Sequence, residues 1–517
     1  MQENTYEMQV LAELDCILAS KEFRARKTAR AFLRYAVQET LAGRGAQLNQ
    51  YTIAVHALGR SPDFSPAENP MVRIEAGRLR KLLDKYYQKY PATNTIMITM
   101  PKGSYRPEFA MRSSPLPTVA SPKLTIGPRL LVHCYAITSV DGRVQAVYQR
   151  LCNELLGMLN RFHALRVILN AADAYPADAM GAPTQIQTCD YRFDCNIQFH
   201  QDSCELFQTV LDTHHNELVW ANRFTLPLTP DPTQVKHIYR QMAASAFTLH
   251  SGKLLVHWSL AHSSLNTTLA AHQQVLVSYL HFLHDINPST FRHALQTCTQ
   301  RLDEFPHDSR ALIIYAHLSS FANILQYFDI ADLEVTWTKA ARMAVALEPD
   351  NAEAHCVFAH NCFLRGDYTL CKTEFELALE LNPFDISIDY LYAFDLYMMG
   401  EEAAGTQRLQ QLMQLAFTKP DWYYLMPFIC AFNQGDYVQA LAFAERIQQF
   451  SFWGELARCV SYYQLGQRQA CQTEFQKLST YDVFTIHSQH TDKRGFFTYQ
   501  AIQKILAILL EIKKTMV

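Results

Sequence analysis

No apolar run in this 517-residue chain approaches the roughly 20 residues needed to span a bilayer. The longest candidates, such as residues 505–510, stop far short. The opening MQENTYEMQV lacks a basic segment followed by an apolar stretch, so no signal peptide is read. The thirteen cysteines are scattered and odd in number, which excludes a disulfide framework and fits a reducing cytosol. The phosphate loop, the dinucleotide fingerprint, the nucleophile elbow and the zinc-protease helix motif are all missing. Paired carboxylates such as Glu401-Glu402 fall at a turn and read as solvated. The expectation is a soluble cytoplasmic protein that is not an enzyme, with no cofactor and no membrane partner.

What is present is an ordinary folded composition, 49% apolar and 18% charged, in a chain long enough for about two to four domains. The net charge of −3 hides an asymmetry. Residues 1–110 hold 16 Lys+Arg against 11 Asp+Glu, and the remainder 30 against 38. A basic head on an acidic body points to polyanion contact by the head alone. A stretch with three prolines and three serines, residues 111–123, reads as a linker.

Within the head, Phe32, Leu33, Ala36, Val37 and Leu41 mark an amphipathic helix over residues 28–41, and residues 50–58 a shorter one. Asn69 and Pro70 are a plausible N-cap and first position of a third helix. Val72, Ala76, Leu79, Leu83 and Tyr86 form its buried stripe, and Arg73, Arg78, Arg80, Lys81 and Lys85 fall mostly off it. Residues 95–100 alternate like a strand, and Pro101 to Ser104 is turn chemistry, placing Lys102 and Arg106 on a hairpin. A helix that buries one face and shows guanidinium groups on the other suits the major groove, where Arg pairs with guanine or neutralises phosphate. Arg24, Arg26, Lys27 and Arg30 are further candidates for phosphate contacts.

Leu79-Arg80-Lys81-Leu82 followed by Lys102-Gly103-Ser104-Tyr105 resembles the OmpR/ToxR-type winged helix. The segments LASKEF, FLRYAVQETLAGR, YTIAVHALGR, DFSPAENPMVRIEAGRLRKLLDKYY and PKGSYRPEF resemble a bacterial amino-terminal domain found before TolB-like and tetratricopeptide regions. The resemblance implies double-stranded DNA as a partner of residues 1–110.

Residues 124–250 show a β-α-β order followed by a strand meander, with Tyr191, Phe193, Cys195, Ile197 and Phe199 in strict alternation. This order, with NELVWANRF as a last strand, resembles the TolB amino-terminal-like domain. Cys189, Cys195, His200 and Cys204 match no zinc-module spacing and read as small buried side chains instead of metal ligands.

The last region, residues 265–517, is helical almost throughout. Gly366, Gly400, Gly435 and Gly466 recur at spacings of 34, 35 and 31, and Pro349 lies 34 residues before Pro383. Residues 352–383 resemble the tetratricopeptide repeat, with His355 at the usual Trp and Phe375, Ala378 and Pro383 matching outright. About five or six such repeats would stack into a solenoid, capped by a final helix near residues 498–514. On that assignment Glu353, His360 and Phe363 line a concave protein-binding groove.

The expected fold class is thus multidomain and mostly α: a winged-helix-like head, a small α/β TolB-like domain and an α-solenoid. The arrangement resembles the HilA-type regulators, which implies a transcriptional regulator whose repeats bind protein or mediate self-association. The alternative is a cytosolic adaptor whose head binds protein instead of DNA.

Overall fold

The computed structural model describes residues 2–20, 22–24, 26–61, 71–89, 96–101, 104–111, 127–136, 142–169, 189–262, 269–325, 333–448, 450, 452–479, 481 and 499–516. Asn69, Pro70 and residues 112–123 of the expected linker lie outside them. The chain is mostly helical, with a small sheet and a C-terminal region of helical pairs. It divides into two compact units: residues 1–121 with 342–349, and residues 122–341 with 350–517.

The first unit opens with α1 (Gln2–Ala19), an element the sequence reading does not anticipate. It buries Val10, Leu14, Ile17 and Leu18 and packs against α2 (Lys27–Leu41) and the first hairpin strand. α2 buries Phe32, Leu33, Ala36 and Val37, the expected face. α3 (Gln50–Thr52) starts at a capping box made by Asn49 and Thr52 and runs into a π-helical turn (Ile53–Ala57). The basic helix is α4 (Met71–Lys89). Val72, Ala76, Leu79, Leu83 and Tyr86 are all buried on it. β1 (Ile96–Thr99) and β2 (Glu108–Met111) pair antiparallel, with Ile98 opposite Phe109. The Ile98 N–H donates to the Tyr87 hydroxyl at 2.7 Å and ties the hairpin to α4.

The second unit begins with a five-stranded sheet. β3 (Arg129–Ala136) is followed by α5 (Gly142–Leu159), β4 (Arg166–Leu169), β5 (Tyr191–Phe199), β6 (Ser203–Asp212) and β7 (Glu217–Pro227). The spatial order is β4-β3-β5-β6-β7. β3 runs parallel to both neighbours, and β5 to β7 form an antiparallel meander with a register shift at Val210/Leu211. α6 (Pro232–Ala246) starts at a capping box of Asp231 and Gln234, and α7 (Lys253–Ala261) follows a tight turn. The Tyr239 hydroxyl donates to the Leu151 carbonyl at 2.7 Å, joining α6 to α5.

Helices then alternate with short loops: α8 (Ala271–His284), α9 (Pro288–Glu304), α10 (Ser309–Leu325), α11 (Leu333–Leu347), α12 (Ala352–Leu364), α13 (Tyr368–Leu381), α14 (Ile386–Met398), α15 (Glu402–Met413), α16 (Leu425–Gln434), α17 (Tyr437–Ala444), α18 (Trp453–Gln464) and α19 (Arg468–Leu478). Gly366, Gly400, Gly435 and Gly466 each end the first helix of a pair at φ between 72° and 93°. That left-handed conformation is costly for any residue with a Cβ, which is why glycine recurs there. Asp367 and Asp436 then cap the second helix, accepting from Leu370 N–H and Gln439 N–H. Within one pair, a Cβ at Gly405 would come within 2.7 Å of the Ala393 carbonyl, so α14 and α15 cross at backbone distance.

Polar ties join the sheet region to the helical pairs inside this unit. Asp389 accepts from Arg240 and from Arg408, each at 2.7 Å. The Asn382 amide donates to the Arg161 carbonyl at 3.3 Å.

The final helix, α20 (Gln500–Met516), corrects the expectation of an end cap. It packs on α14, α16 and α18, the first helices of three successive pairs. Lys504 donates to the Asn433 carbonyl at 2.9 Å, the Asn433 amide to the Ala501 carbonyl at 3.0 Å, and Tyr463 to Glu511 at 2.8 Å. Ile502, Ile505, Leu506, Leu509 and Ile512 are buried. The apolar stripe is too long for the end of a stack, and a helix laid along it buries every turn. Each buried aliphatic is worth about 1.5–3 kcal/mol. Deleting residues 500–516 is therefore expected to lower the thermal midpoint by at least about 5 °C and to increase binding of an apolar fluorescent dye. Unchanged melting and dye binding would show that the helix contributes nothing to the inner face.

Candidate functional site

Two surfaces come forward, one in each unit. In the first, α4 turns Arg73, Arg78, Lys81 and Lys85 outward, while Val72, Ala76, Leu79, Leu83 and Tyr86 are held inside. At 100° per residue these four cations fall on one arc. Arg78 pairs with Glu75 at 2.5 Å, yet its side chain stays 66% exposed. Such a pair at i,i+3 on the surface is worth a few tenths of a kcal/mol and leaves the guanidinium available to a stronger anion. Ile74, half exposed, sits among the cations.

Arg80 departs from the sequence assignment. Its Nε donates to the Met100 carbonyl at 2.8 Å, and Nη2 donates to the Pro101 and Ser104 carbonyls at 3.0 and 2.9 Å. The chain reverses between β1 and β2, where the Pro101 carbonyl also accepts from the Ser104 N–H at 3.2 Å. A half-buried guanidinium fork supplies three hydrogen bonds at once. Arg80 is thus a clamp between helix and hairpin, not a free contact for DNA. Lys102 lies outside the described residues. Arg106 is exposed, and its side chain passes close to Gly45, where an added Cβ would lie 3.2 Å from Nε. Arg24, Arg26 and Lys27 are exposed and Arg30 is half-buried.

In the second unit the expected groove residues are inside. Glu353 forms a buried ion pair with Arg310. His360 Nδ1 lies 2.9–3.0 Å from both Asp395 oxygens, and its ring stacks near Phe363. Phe363 is covered by Tyr499, with ring centroids 4.8 Å apart and planes within 19°. His360 and Phe363 therefore do not line an open groove. Tyr499, next to the start of α20, stacks on Phe363, and Asp395 holds the His360 imidazole. His355, at the repeat's packing position, is buried with Nδ1 2.6 Å from Glu374.

Beside these residues the inner face holds a cavity of about 90 Å³, part of it open to solvent. Its walls come from α10, α12, α14, residues 422–425, Phe450 and the turn after α6. Phe321, Tyr390, Phe394 and Trp422 give it aromatic faces; His250, His317, Glu353 and Asp385 give it polar ones. The Tyr390 hydroxyl is turned away and donates to the Trp422 carbonyl at 3.0 Å. His250 stands edge-on to Trp422 at 5.2 Å, and its Nδ1 is buried with no partner among the described residues. Burial pushes the His250 imidazole down to about 4 and holds His317 well below its ordinary value, so both rings are neutral at pH 7. The His250 turn is fixed: Ser251 Oγ donates to the Ala244 carbonyl at 2.6 Å, and a Cβ at Gly252 would lie 2.6 Å from the Thr248 carbonyl.

Sequence reasoning does not single out His250, His317 or Asp385. Asp385 alone carries a signal, because it caps α14 by accepting from the Ser387 N–H at 3.0 Å. Cys195 and Cys204 are buried on adjacent strands, and His200 is exposed. No group of three or more potential metal ligands occurs among the described residues. Nor is any helix among them long and apolar enough to cross a membrane.

No family model matches the chain, and no curated protein matches it. Among solved structures it is similar to PilW, described as a widely conserved type IV pilus biogenesis factor. The match has 14% identity and a TM-score of 0.30, and covers 46% of this chain and 100% of that one. A likeness at that score carries no argument about fold or function.

The two kinds of cation on α4 separate by mutation. Arg80→Ala is expected to destabilise the first unit by about 2 kcal/mol, because three carbonyls lose a charged donor. Lys81→Ala is expected to stay within about 0.5 kcal/mol. Urea unfolding of the two variants checks this, and equal effects would refute the division.

Asp385 generates a pH dependence. Burial raises its carboxyl from 3.8 to about 6, against the pull of the Ser387 donors. The folded state then keeps this proton to higher pH than the unfolded state, so the site is most favourable below pH 3.8 and loses stability as pH rises through 6. Asn in its place keeps the helix cap without titrating. The stability of Asp385→Asn relative to the parent is expected to increase by about 2–3 kcal/mol between pH 4 and pH 8. A difference that is flat with pH would show an ordinary carboxyl.

Proposed function

We propose that this chain is a DNA-binding transcriptional regulator. The carrying observation is the exposed arc of Arg73, Arg78, Lys81 and Lys85 on a helix whose opposite face is wholly buried. The hairpin that follows the helix suits a winged-helix-like reading, with Arg106 on the wing. The parallel-then-antiparallel sheet suits a TolB-like domain, and the helical pairs with their recurring left-handed glycines suit tetratricopeptide repeats. In this reading the repeats bind protein or mediate self-association, and the protein is cytoplasmic and not an enzyme. Binding is electrostatic first: cations displace condensed counterions from the duplex, and base contacts by Arg73 and Arg78 add selection.

The adaptor reading rests on one observation, Ile74 exposed at the centre of the basic face, which would suit an acidic, partly apolar protein partner.

The test uses the full chain against a pool of genomic duplex fragments at 50 and 200 mM salt, beside an Arg78/Lys81/Lys85 triple-alanine variant. Enrichment of particular fragments is expected, with affinity falling steeply with salt. The variant should lose affinity, and its salt slope should shrink by about three contacts' worth. A folded chain that binds no duplex at low salt would move the head to protein recognition.

A further inference from the structure

We propose that the cavity on the inner face of the helical pairs is a binding site for a small apolar molecule carrying one ammonium group.

The cavity's charges decide the class. Glu353 is already neutralised by Arg310, and nearby Asp389 by Arg240 and Arg408. Asp385, 4% exposed, accepts only from the backbone N–H and hydroxyl of Ser387; Arg240, engaged with Asp389, pulls on it weakly from a distance, and no cationic side chain pairs with it among the described residues. A carboxylate buried without a counter-ion is costly, and an ammonium brought by a ligand supplies the missing partner. A ligand carboxylate would meet the same charge as repulsion. The second polar anchor is His250, whose buried Nδ1 has no partner among the described residues and whose turn is held by Ser251 and the close approach at Gly252. A neutral imidazole nitrogen accepts a hydrogen bond from an N–H or offers its own proton to an oxygen.

The walls settle the remainder of the molecule. Phe321, Tyr390, Phe394 and Trp422 present ring faces and edges, a setting that both buries hydrocarbon and favours a cation by its quadrupoles. The cavity is small, about 90 Å³ and partly open, which limits its occupant to a small molecule. Every wall element belongs to a single compact unit, so the site is assembled without the DNA-reading head. It stands whether or not that head binds DNA.

The test is on the full chain, with 2-phenylethylamine as the probe, 2-phenylethanol as its uncharged counterpart and 3-phenylpropionate as its opposite in charge. Binding is followed by calorimetry and by tryptophan fluorescence, for which Trp422→Phe removes the local reporter. The amine is expected to bind at least about tenfold tighter than the alcohol, one charge-assisted hydrogen bond's worth, and the acid to bind weakest. Asp385→Asn, which keeps the helix cap, is expected to bring amine and alcohol within about threefold of each other; its circular dichroism reports folding. The comparison among the three probes on the parent chain needs no variant. Equal binding of amine and alcohol, preference for the acid, an amine preference that survives in folded Asp385→Asn, or no saturable binding at about 10 mM would each overturn the proposal.

Discussion

Stacked helix pairs leave one face that the stack itself does not cover. The first helix of each pair presents apolar side chains there, and unless something lies over them they meet water. The chain solves this with its own segments. α20 lies over α14, α16 and α18, and Tyr499 closes the ring of Phe363. Elsewhere the turn after α6 brings Leu249 and His250 over α10 and α14. The cavity is the space left between these covers, which is why its walls come from so many places in the chain.

The same constraint explains the unusual number of charged and polar groups inside the helical region. Arg310 with Glu353, His355 with Glu374, and His360 with Asp395 are buried as pairs. Once the inner face is covered, each polar side chain on it needs a partner of its own, because water is gone. Removing one partner would leave the other uncompensated, so each pair is expected to act as a unit in mutational work. Asp385 and the Nδ1 of His250 are the groups facing the cavity that this accounting leaves over.

In the head, cations of one helix do different work according to where the backbone bends. Arg80 points toward the hairpin loop and is consumed by its Met100, Pro101 and Ser104 carbonyls. Arg73, Arg78, Lys81 and Lys85 point away and keep their charge at the surface. A spacing of one residue, from 80 to 81, rotates the side chain by about 100° and separates a structural role from an accessible one.

Local patterns were enough to read the α4 stripe, the alternating strand at residues 191–199, the meander and the glycine period of the helical pairs, because each depends on side-chain periodicity or on one backbone conformation within a few residues. A capping box of Asp231 and Gln234 starts α6, and it too is a local device within a few residues. Tertiary structure alone decided the remaining points. It placed the final helix along the inner face instead of at its end, buried His360 and Phe363, tied Arg80 to the hairpin, and gathered His250, His317 and Asp385 from residues 67 and 68 positions apart. The physical reason is common to all four. Whether a helical face is open depends on what packs against it, and that partner is set by contacts between residues distant in the chain, for which no local periodicity exists.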